Sequence, residues 1–304
     1  MSSSNAPGEA APVLARRRAL LGGLPACLLL AAAGPAAHAA THMPRVVSVG
    51  GGVTEIVYAL GAASQLVGVD TSSLYPAQAL ALPKVGYQRT LAAEGVIALA
   101  PQVVLAGREA GPPAVLRQLE AAGIKVVRVD GAYTFEGVAE RIATAAAALG
   151  REDGGRALIS SLSARWAALR QRMDEQPLRG AQGGPLRVAC LMRHGSTSLI
   201  AGRDTGADAM LGLVGAVNVF GESFAQYRPL SAEALVHAAP DAVIGTVDGA
   251  PDASARAALL ATPGLALTPA GRHARAIPFD IVLLLGFGPR LPQAAEALYE
   301  ALRV

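Results

Sequence analysis

Short apolar runs alternate with helical patterns along most of the chain, which predicts an α/β fold. The first half contains four runs with the length and β-branched content of buried strands, at residues 45–49, 66–69, 103–106 and 125–129. Helical patterns lie between them, and the one over 113–122 stops at Gly123. Strands that alternate with helices predict a parallel sheet, so residues 44–135 are expected to form one α/β lobe.

A helical segment over residues 136–176 follows this lobe, and its apolar residues fall on one helical face. Glycines between residues 150 and 155 divide or kink it. Strand-like runs at 186–192, 242–246 and 277–279 and a final helix at 291–302 then predict a second lobe over 186–304. The fold class is therefore α/β, with two Rossmann-like lobes joined by a single long connecting helix. A ligand cleft is expected between the lobes, where the carboxyl ends of their strands face each other.

Two stretches of the chain repeat each other at one constant offset, residues 89–101 (RTLAAEGVIALAP) and 228–240 (RPLSAEALVHAAP). The repeat aligns Arg89 with Arg228 and Glu94 with Glu233, with Tyr87 and Tyr227 just before the two arginines. A strand-like run follows each stretch. The pattern predicts two similar lobes that each present an Arg and a Glu at equivalent positions. It also predicts that the tyrosines and arginines lie in turns that precede helices and line the cleft.

Residues 1–39 have the pattern of a cleavable export signal. Basic residues 16–18 precede an apolar run and an Ala-His-Ala cleavage site at 37–39. The apolar run is too short and too broken by glycine and proline for a membrane anchor. The Arg17-Arg18 pair also fits a twin-arginine signal, so Sec and Tat export both stay open. The expected location is the periplasm.

Composition and motifs exclude several classes of function. The net charge of +3 falls to about +1 without residues 1–39, which carry three Arg and one Glu, so no basic patch points to nucleic acid. Cys190 is then the remaining cysteine and is predicted to be a buried core thiol. The run Gly50–Gly52 lacks a Walker lysine and predicts a tight turn into a helix. The chain has no nucleophile elbow and no closely spaced histidine pair, so neither a hydrolase nor a classical zinc site is indicated.

Three stretches resemble the periplasmic haem-binding proteins of bacterial haem ABC importers: residues 46–61, 85–91 (VGYQRTL) and 284–290 (LLGFGPR). The resemblance covers essentially all of the chain after the signal, and the Gly-Tyr-x-Arg turn is its most specific part. It implies a carrier, not an enzyme, that binds ferric haem and delivers it to an ABC importer permease dimer. An outer-membrane haem uptake system is a further expected partner, and the carrier is expected to be a monomer.

The resemblance also implies roles for individual residues. It makes Tyr87 the axial ligand of the haem iron, and phenolate is a hard anionic donor suited to Fe(III). Arg89 is expected to favour the charged phenolate. Arg228 is expected to face the cleft from the other lobe and pair with a propionate, and Tyr227 to stack on the porphyrin. For His194, a second contact to haem and a purely structural role both stay open.

Glu94 and Glu233 match the paired glutamates with which the family docks on permease arginines. Each is alternatively a helix-start carboxylate stabilised by the helix dipole. A two-fold permease favours docking, because it needs matching contacts on both lobes. Two other functions stay open. A cobalamin or ferric-siderophore carrier has the same fold, although the Tyr-x-Arg turn disfavours cobalamin. An exported α/β enzyme is disfavoured by the missing nucleophile and metal motifs.

Overall fold

The computed structural model describes residues 43–194 and 197–303, without the side chains of Arg193, His194 and Thr197. The predicted export signal therefore lies outside the described residues. The first lobe contains β1 (Val46–Val49), α1 (Gly51–Ala59), β2 (Leu66–Val69), α2 (Ala93–Ile97), β3 (Val103–Gly107), α3 (Pro113–Ala121) and β4 (Lys125–Val129). Its four strands are parallel in the order β2-β1-β3-β4. The central strands β1 and β3 are buried throughout, which explains their nearly uninterrupted apolar sequences.

The connecting segment consists of α4 (Phe135–Leu149) and α5 (Glu152–Glu175). Gly150 ends α4 in the left-handed conformation, with φ 64°, so the segment is divided where its glycines predict. The two helices pack together, and Phe135 stacks on Trp166 with ring centroids 5.7 Å apart. The 24-residue α5 then leads to the second lobe.

The second lobe contains β5 (Arg187–His194), β6 (Thr197–Ala201), α6 (Gly206–Leu213), β7 (Val217–Asn218), β8 (Tyr227–Pro229), α7 (Ala232–Ala238), β9 (Ala242–Val247), α8 (Ala253–Leu260), α9 (Pro269–Arg272), β10 (Ala276–Asp280), α10 (Ile281–Leu285) and α11 (Leu291–Arg303). The order β10-β9-β5-β6-β8 includes antiparallel pairs between β5 and β6 and between β6 and β8. The second sheet is therefore mixed, and the sequence predicts β5, β9 and β10 but not its antiparallel edge. Cys190 is buried in β5, as its apolar surroundings predict.

The predicted turn conformation of Tyr227 and Arg228 is wrong. Both residues lie in β8 and pair with Ala201 and Ile200 of β6. The expectation followed from the repeat, which in the first lobe does place Arg89 in a one-turn 3₁₀ helix over Gln88–Thr90. Pairing with β6 overrides this local similarity, because the four described strands of the first lobe are all parallel and none is equivalent to β6.

The two lobes meet where α1 begins. Gly50, with φ 108°, turns the chain from β1 into α1. A Cβ at the following Gly52 would collide with the carbonyl oxygen of Gly286, and one at Gly288 would lie 3.2 Å from the Cα of Gly52. The glycines are therefore required because two backbones touch, and not because a phosphate binds there.

A buried ion pair lies beside this contact. Arg290 donates from Nε to Oε2 of Glu55 at 2.9 Å and from Nη2 to Oε1 at 2.6 Å. Glu55 is 4% exposed and Arg290 20%. The guanidinium also lies 3.6 Å from the ring centroid of Tyr75. Burial raises the pKa of Glu55, and the hydrogen bonds from Arg290 oppose that rise.

We expect Arg290→Met to destabilise the protein by about 3–5 kcal/mol at neutral pH, because Glu55 is left as a buried, unpaired carboxylate. Without Arg290, the remaining influences on Glu55, burial and the charge of Asp280, both raise its pKa. A raised folded-state pKa favours the protonated form, so the deficit should shrink as the pH falls from about 8 to about 5. Urea unfolding across this range measures both effects.

Arg117→Met is the matched control, since Arg117 is exposed on α3 and its loss removes the same charge. The double variant Glu55→Gln/Arg290→Met should recover part of the loss, because no carboxylate is left unpaired. Additive losses, or a deficit independent of pH, would show that the pair contributes little.

Candidate functional site

A cleft of about 640 Å³ lies between the two lobes, at the carboxyl ends of both sheets. In the first lobe it is lined by residues at or just beyond the carboxyl ends of β1, β3 and β4, at 50–53, 107–109, 129 and 133. In the second it is lined by residues near β5 and β8 and by the start of α10. This is the position predicted from the strand pattern, since ligands of parallel α/β sheets bind beyond the strands' carboxyl ends.

Tyr87 lies at the mouth of this cleft. Gly86, with φ 101°, turns the chain just before Tyr87. A 3₁₀ turn over Gln88–Thr90 follows, and the Tyr87 carbonyl closes it by accepting a hydrogen bond of 2.9 Å from Thr90 N. The Tyr87 side chain lines the cleft and the residue is 42% exposed. Solvent therefore reaches this phenol.

Arg89 lines the cleft beside Tyr87 and takes part in a chain of polar contacts. Its Nη2 lies 2.8 Å from Oε2 of Glu109. The other carboxylate oxygen, Oε1, accepts a hydrogen bond of 2.8 Å from the Tyr133 hydroxyl. Sequence reasoning missed Glu109 and Tyr133. Both follow the carboxyl end of a predicted strand, and that position is the signal that would have found them.

Three tyrosines line the cleft, and their surroundings separate them. Burial, followed by the hydrogen bond to Glu109, raises the pKa of Tyr133 to about 12. Burial also raises the pKa of Tyr227, and a hydrogen bond with Thr205 and the charge of Arg89 oppose this rise without cancelling it. Both phenols therefore stay neutral at physiological pH. Tyr87 differs from them in being open to solvent.

The structure does not bring all of the predicted ligand residues together. Tyr227 lines the cleft, but Arg228 is not part of its lining. Consecutive side chains of a strand point to opposite faces, and the Arg228 guanidinium lies 5.1 Å from the ring centroid of Phe224. His194 is the last residue of β5, and its side chain lies outside the part of the chain that the structure describes.

Glu94 and Glu233 lie in the first turns of α2 and α7, and both are exposed. We call α2 and α7 the paired helices. Each ends before an alanine with φ 45°, Ala100 and Ala239, which occupy equivalent positions of the sequence repeat. A left-handed alanine is uncommon, so the repeat extends to a costly backbone conformation.

An arginine at the beginning of each lobe's first strand holds the end of one paired helix. Nη2 of Arg45 donates to the Leu99 carbonyl at 2.7 Å, and Nη2 of Arg187 donates to the Ala238 carbonyl at 2.8 Å. The backbone amides of the two arginines donate to equivalent side chains, Gln102 and Asp241, both at 3.0 Å. The two lobes thus fix their paired helices by the same contacts.

The paired helices differ at their beginnings. Ser231 caps α7 by accepting from Ala234 N at 3.2 Å and donates to Oε2 of Glu233 at 3.0 Å. The equivalent residue before α2 is Ala92, which has no side-chain cap. Ser231 therefore restrains the carboxylate of Glu233, whereas within the described residues no side-chain hydrogen bond or ion pair restrains that of Glu94.

Comparison with solved structures finds the same two-lobed fold bound to haem. A periplasmic haem-binding protein, BhuT, solved in complex with two haems, is 43% identical, with a TM-score of 0.77. The match covers 86% of this chain and 98% of that protein.

Curated relatives are more distant and carry other names. An uncharacterised ABC transporter substrate-binding lipoprotein, YvrC of Bacillus subtilis, is 28% identical over 85% of this chain and 79% of its own length. A vitamin B12-binding protein of Pectobacterium atrosepticum is 29% identical over 68% of this chain and 72% of its own length. These relatives support the role of an ABC transporter's substrate-binding protein, located outside the cytoplasm.

The sequence model of the family described as Periplasmic binding protein matches residues 46–280, from β1 to β10. This range includes both sheets, both paired helices and most of the cleft lining. The chain belongs to the periplasmic binding protein family.

Proposed function

We propose that this protein is a periplasmic haem carrier that binds ferric haem in the cleft, through Tyr87, and delivers it to an inner-membrane ABC importer without catalysing a reaction. The observation that carries the proposal is the Gly86 turn, which presents a solvent-accessible phenol and Arg89 at the mouth of the cleft. A phenolate beside a guanidinium suits Fe(III). The neutral phenols of Tyr133 and Tyr227 are poor competitors for the iron.

A vitamin B12 carrier is the second candidate, because curated relatives with that name match most of the chain. The cleft lining disfavours this function. Its most accessible tyrosine, Tyr87, lies at the mouth, and phenolate does not usually bind the cobalt of cobalamin. Titration with haemin and, separately, with cyanocobalamin distinguishes the two functions.

We expect haemin to give a high-spin ferric tyrosinate spectrum with the wild-type protein, and Tyr87→Phe to abolish it. Tyr133→Phe and Tyr227→Phe are the matched controls, because each removes one cleft hydroxyl that stays protonated at neutral pH. Absorbance and resonance Raman spectra report the iron ligand directly. An unchanged spectrum in Tyr87→Phe would reject the ligand assignment, and tight binding of cyanocobalamin but not haemin would reject the haem function.

Arg89→Ala should raise the pH at which the tyrosinate spectrum appears, because a nearby positive charge favours the phenolate. The shift should be less than about one pH unit and should fall with added salt, since Arg89 is half exposed. Glu109→Gln should move the transition the opposite way, because it removes the negative charge 2.8 Å from Arg89. A pH titration of both haem-loaded variants measures this, and coincident curves would exclude a role for Arg89.

Glu94 and Glu233 are proposed to dock the carrier on the permease. Exposed ion pairs contribute about 0–1 kcal/mol each and act mainly on orientation and association rate. Glu94→Ala/Glu233→Ala should therefore slow haem uptake into vesicles that contain the cognate importer, more than either single change does. The haem spectrum should stay normal.

The matched control for docking is Glu120→Ala/Glu222→Ala, which removes one exposed glutamate from each lobe away from the paired helices. Its uptake rate should equal that of the wild type. Unimpaired uptake with Glu94→Ala/Glu233→Ala would leave those residues as helix-start carboxylates only.

A further inference from the structure

Arg141 is a buried cation in the wall of the cleft. It lies in α4, is 6% exposed, and still lines the cleft. Its Nη1 donates to the Phe287 carbonyl at 3.0 Å and its Nη2 to the Gly131 carbonyl at 2.8 Å, while its Nε has no partner among the described residues. Carbonyl oxygens satisfy N–H groups but do not neutralise a charge, and a buried unpaired charge is costly.

A second guanidinium converges on the same place. Arg108 lines the cleft and directs its Nη1 to the same Gly131 carbonyl, at 3.5 Å. The two guanidinium carbons lie 5.2 Å and 5.7 Å from the ring centroid of Tyr133. Two positive charges beside one ring repel each other, and an anion between or beside them offsets that repulsion.

The acidic residues nearby are already occupied. Glu109 pairs with Arg89 and accepts from Tyr133, and Asp130 lies 3.2 Å from Arg128. Within the described residues, no carboxylate lies within 4 Å of the guanidinium of Arg108 or Arg141, the limit within which these other pairs form. The positive charge of this pair therefore stays open toward the cleft.

The charges that line the cleft are divided between its two sides. The first lobe and α4 together contribute Arg89, Arg108 and Arg141 against Glu109, a net charge of +2. The second lobe contributes Asp204 and Asp248 from the described lining, a charge of −2. A ligand with anionic groups at one edge is therefore oriented with that edge toward the first lobe.

We infer that Arg108 and Arg141 form a carboxylate-binding subsite, which selects a macrocycle with free carboxylates and turns its carboxylate edge toward α4. The inference rests on the proposed haem function and names the feature of the ligand that is recognised. Guanidinium binds carboxylate through charge-assisted and often bidentate hydrogen bonds. A carboxamide or an ester offers no negative charge, so the subsite discriminates against macrocycles whose acid groups are amidated or esterified.

The test compares haemin with haemin dimethyl ester, which has the same iron and ring but no free carboxylates. Arg108→Met is the principal variant because Arg108 is exposed, whereas replacing the buried Arg141 is expected to destabilise the fold. Arg117→Met, exposed on α3 and remote from the cleft lining, is the control for loss of one positive charge. Absorbance titration gives affinity, and transfer of haem to apomyoglobin gives the release rate.

The wild type and Arg117→Met should bind haemin at least about ten-fold more tightly than its ester, the size expected for a hydrogen bond to a charged group. Arg108→Met should lose most of this preference by weakening haemin binding alone, and the tyrosinate spectrum should remain. Equal affinities of the wild type for the two ligands, or equal weakening of both by Arg108→Met, would overturn the subsite and leave the haem function intact. Failure of the wild type to bind haemin at all would overturn both.

Discussion

The cleft depends on the contact between the beginning of α1 and the chain at Gly286–Gly288. Gly52 and Gly288 lack side chains where the two backbones touch, and the Glu55–Arg290 pair lies beside this contact. Arg141 adds a third connection, since it reaches from α4 to the carbonyl of Phe287. The lobes are thus linked at the base of the cleft by contacts that tolerate little sliding, in addition to the chain itself. These contacts at the base therefore set the separation of the two lobes and, with it, the width of the cleft.

This arrangement also determines how the cleft's polar groups behave. Burial raises the pKa of Tyr133 and Tyr227 and keeps their phenols protonated, while Tyr87, on a turn at the mouth, stays in contact with solvent. One residue type therefore supplies neutral walls and a candidate anionic donor within the same cavity. The burial of each phenol, rather than the identity of the side chain, sets the difference.

Sequence reasoning was most successful where structure is local. The valine-rich strands of the first lobe, the stop at Gly123 and the division near Gly150 follow from short patterns, and the structure has all of them. It failed at β8, whose three residues Tyr-Arg-Pro form a strand only because β6 lies beside them. It also passed over Arg141, which looks like a solvated position in an Ala-rich helix. That arginine is buried by contact with Phe287, far away in the chain, and no local pattern records such a contact.

The repeated contacts of Arg45 and Arg187 have a further consequence. They attach the two helices that carry Glu94 and Glu233 to their lobes by the same contacts, whereas the charges that line the cleft are unequal, positive on one side and negative on the other. A receptor with true two-fold symmetry would meet such a carrier in two orientations, which differ in the receptor subunit that contacts the Ser231-bonded Glu233. The cargo would then lie off the symmetry axis, toward one subunit of the receptor or the other. Receptor subunits that are identical before docking would become inequivalent as soon as a loaded carrier is bound.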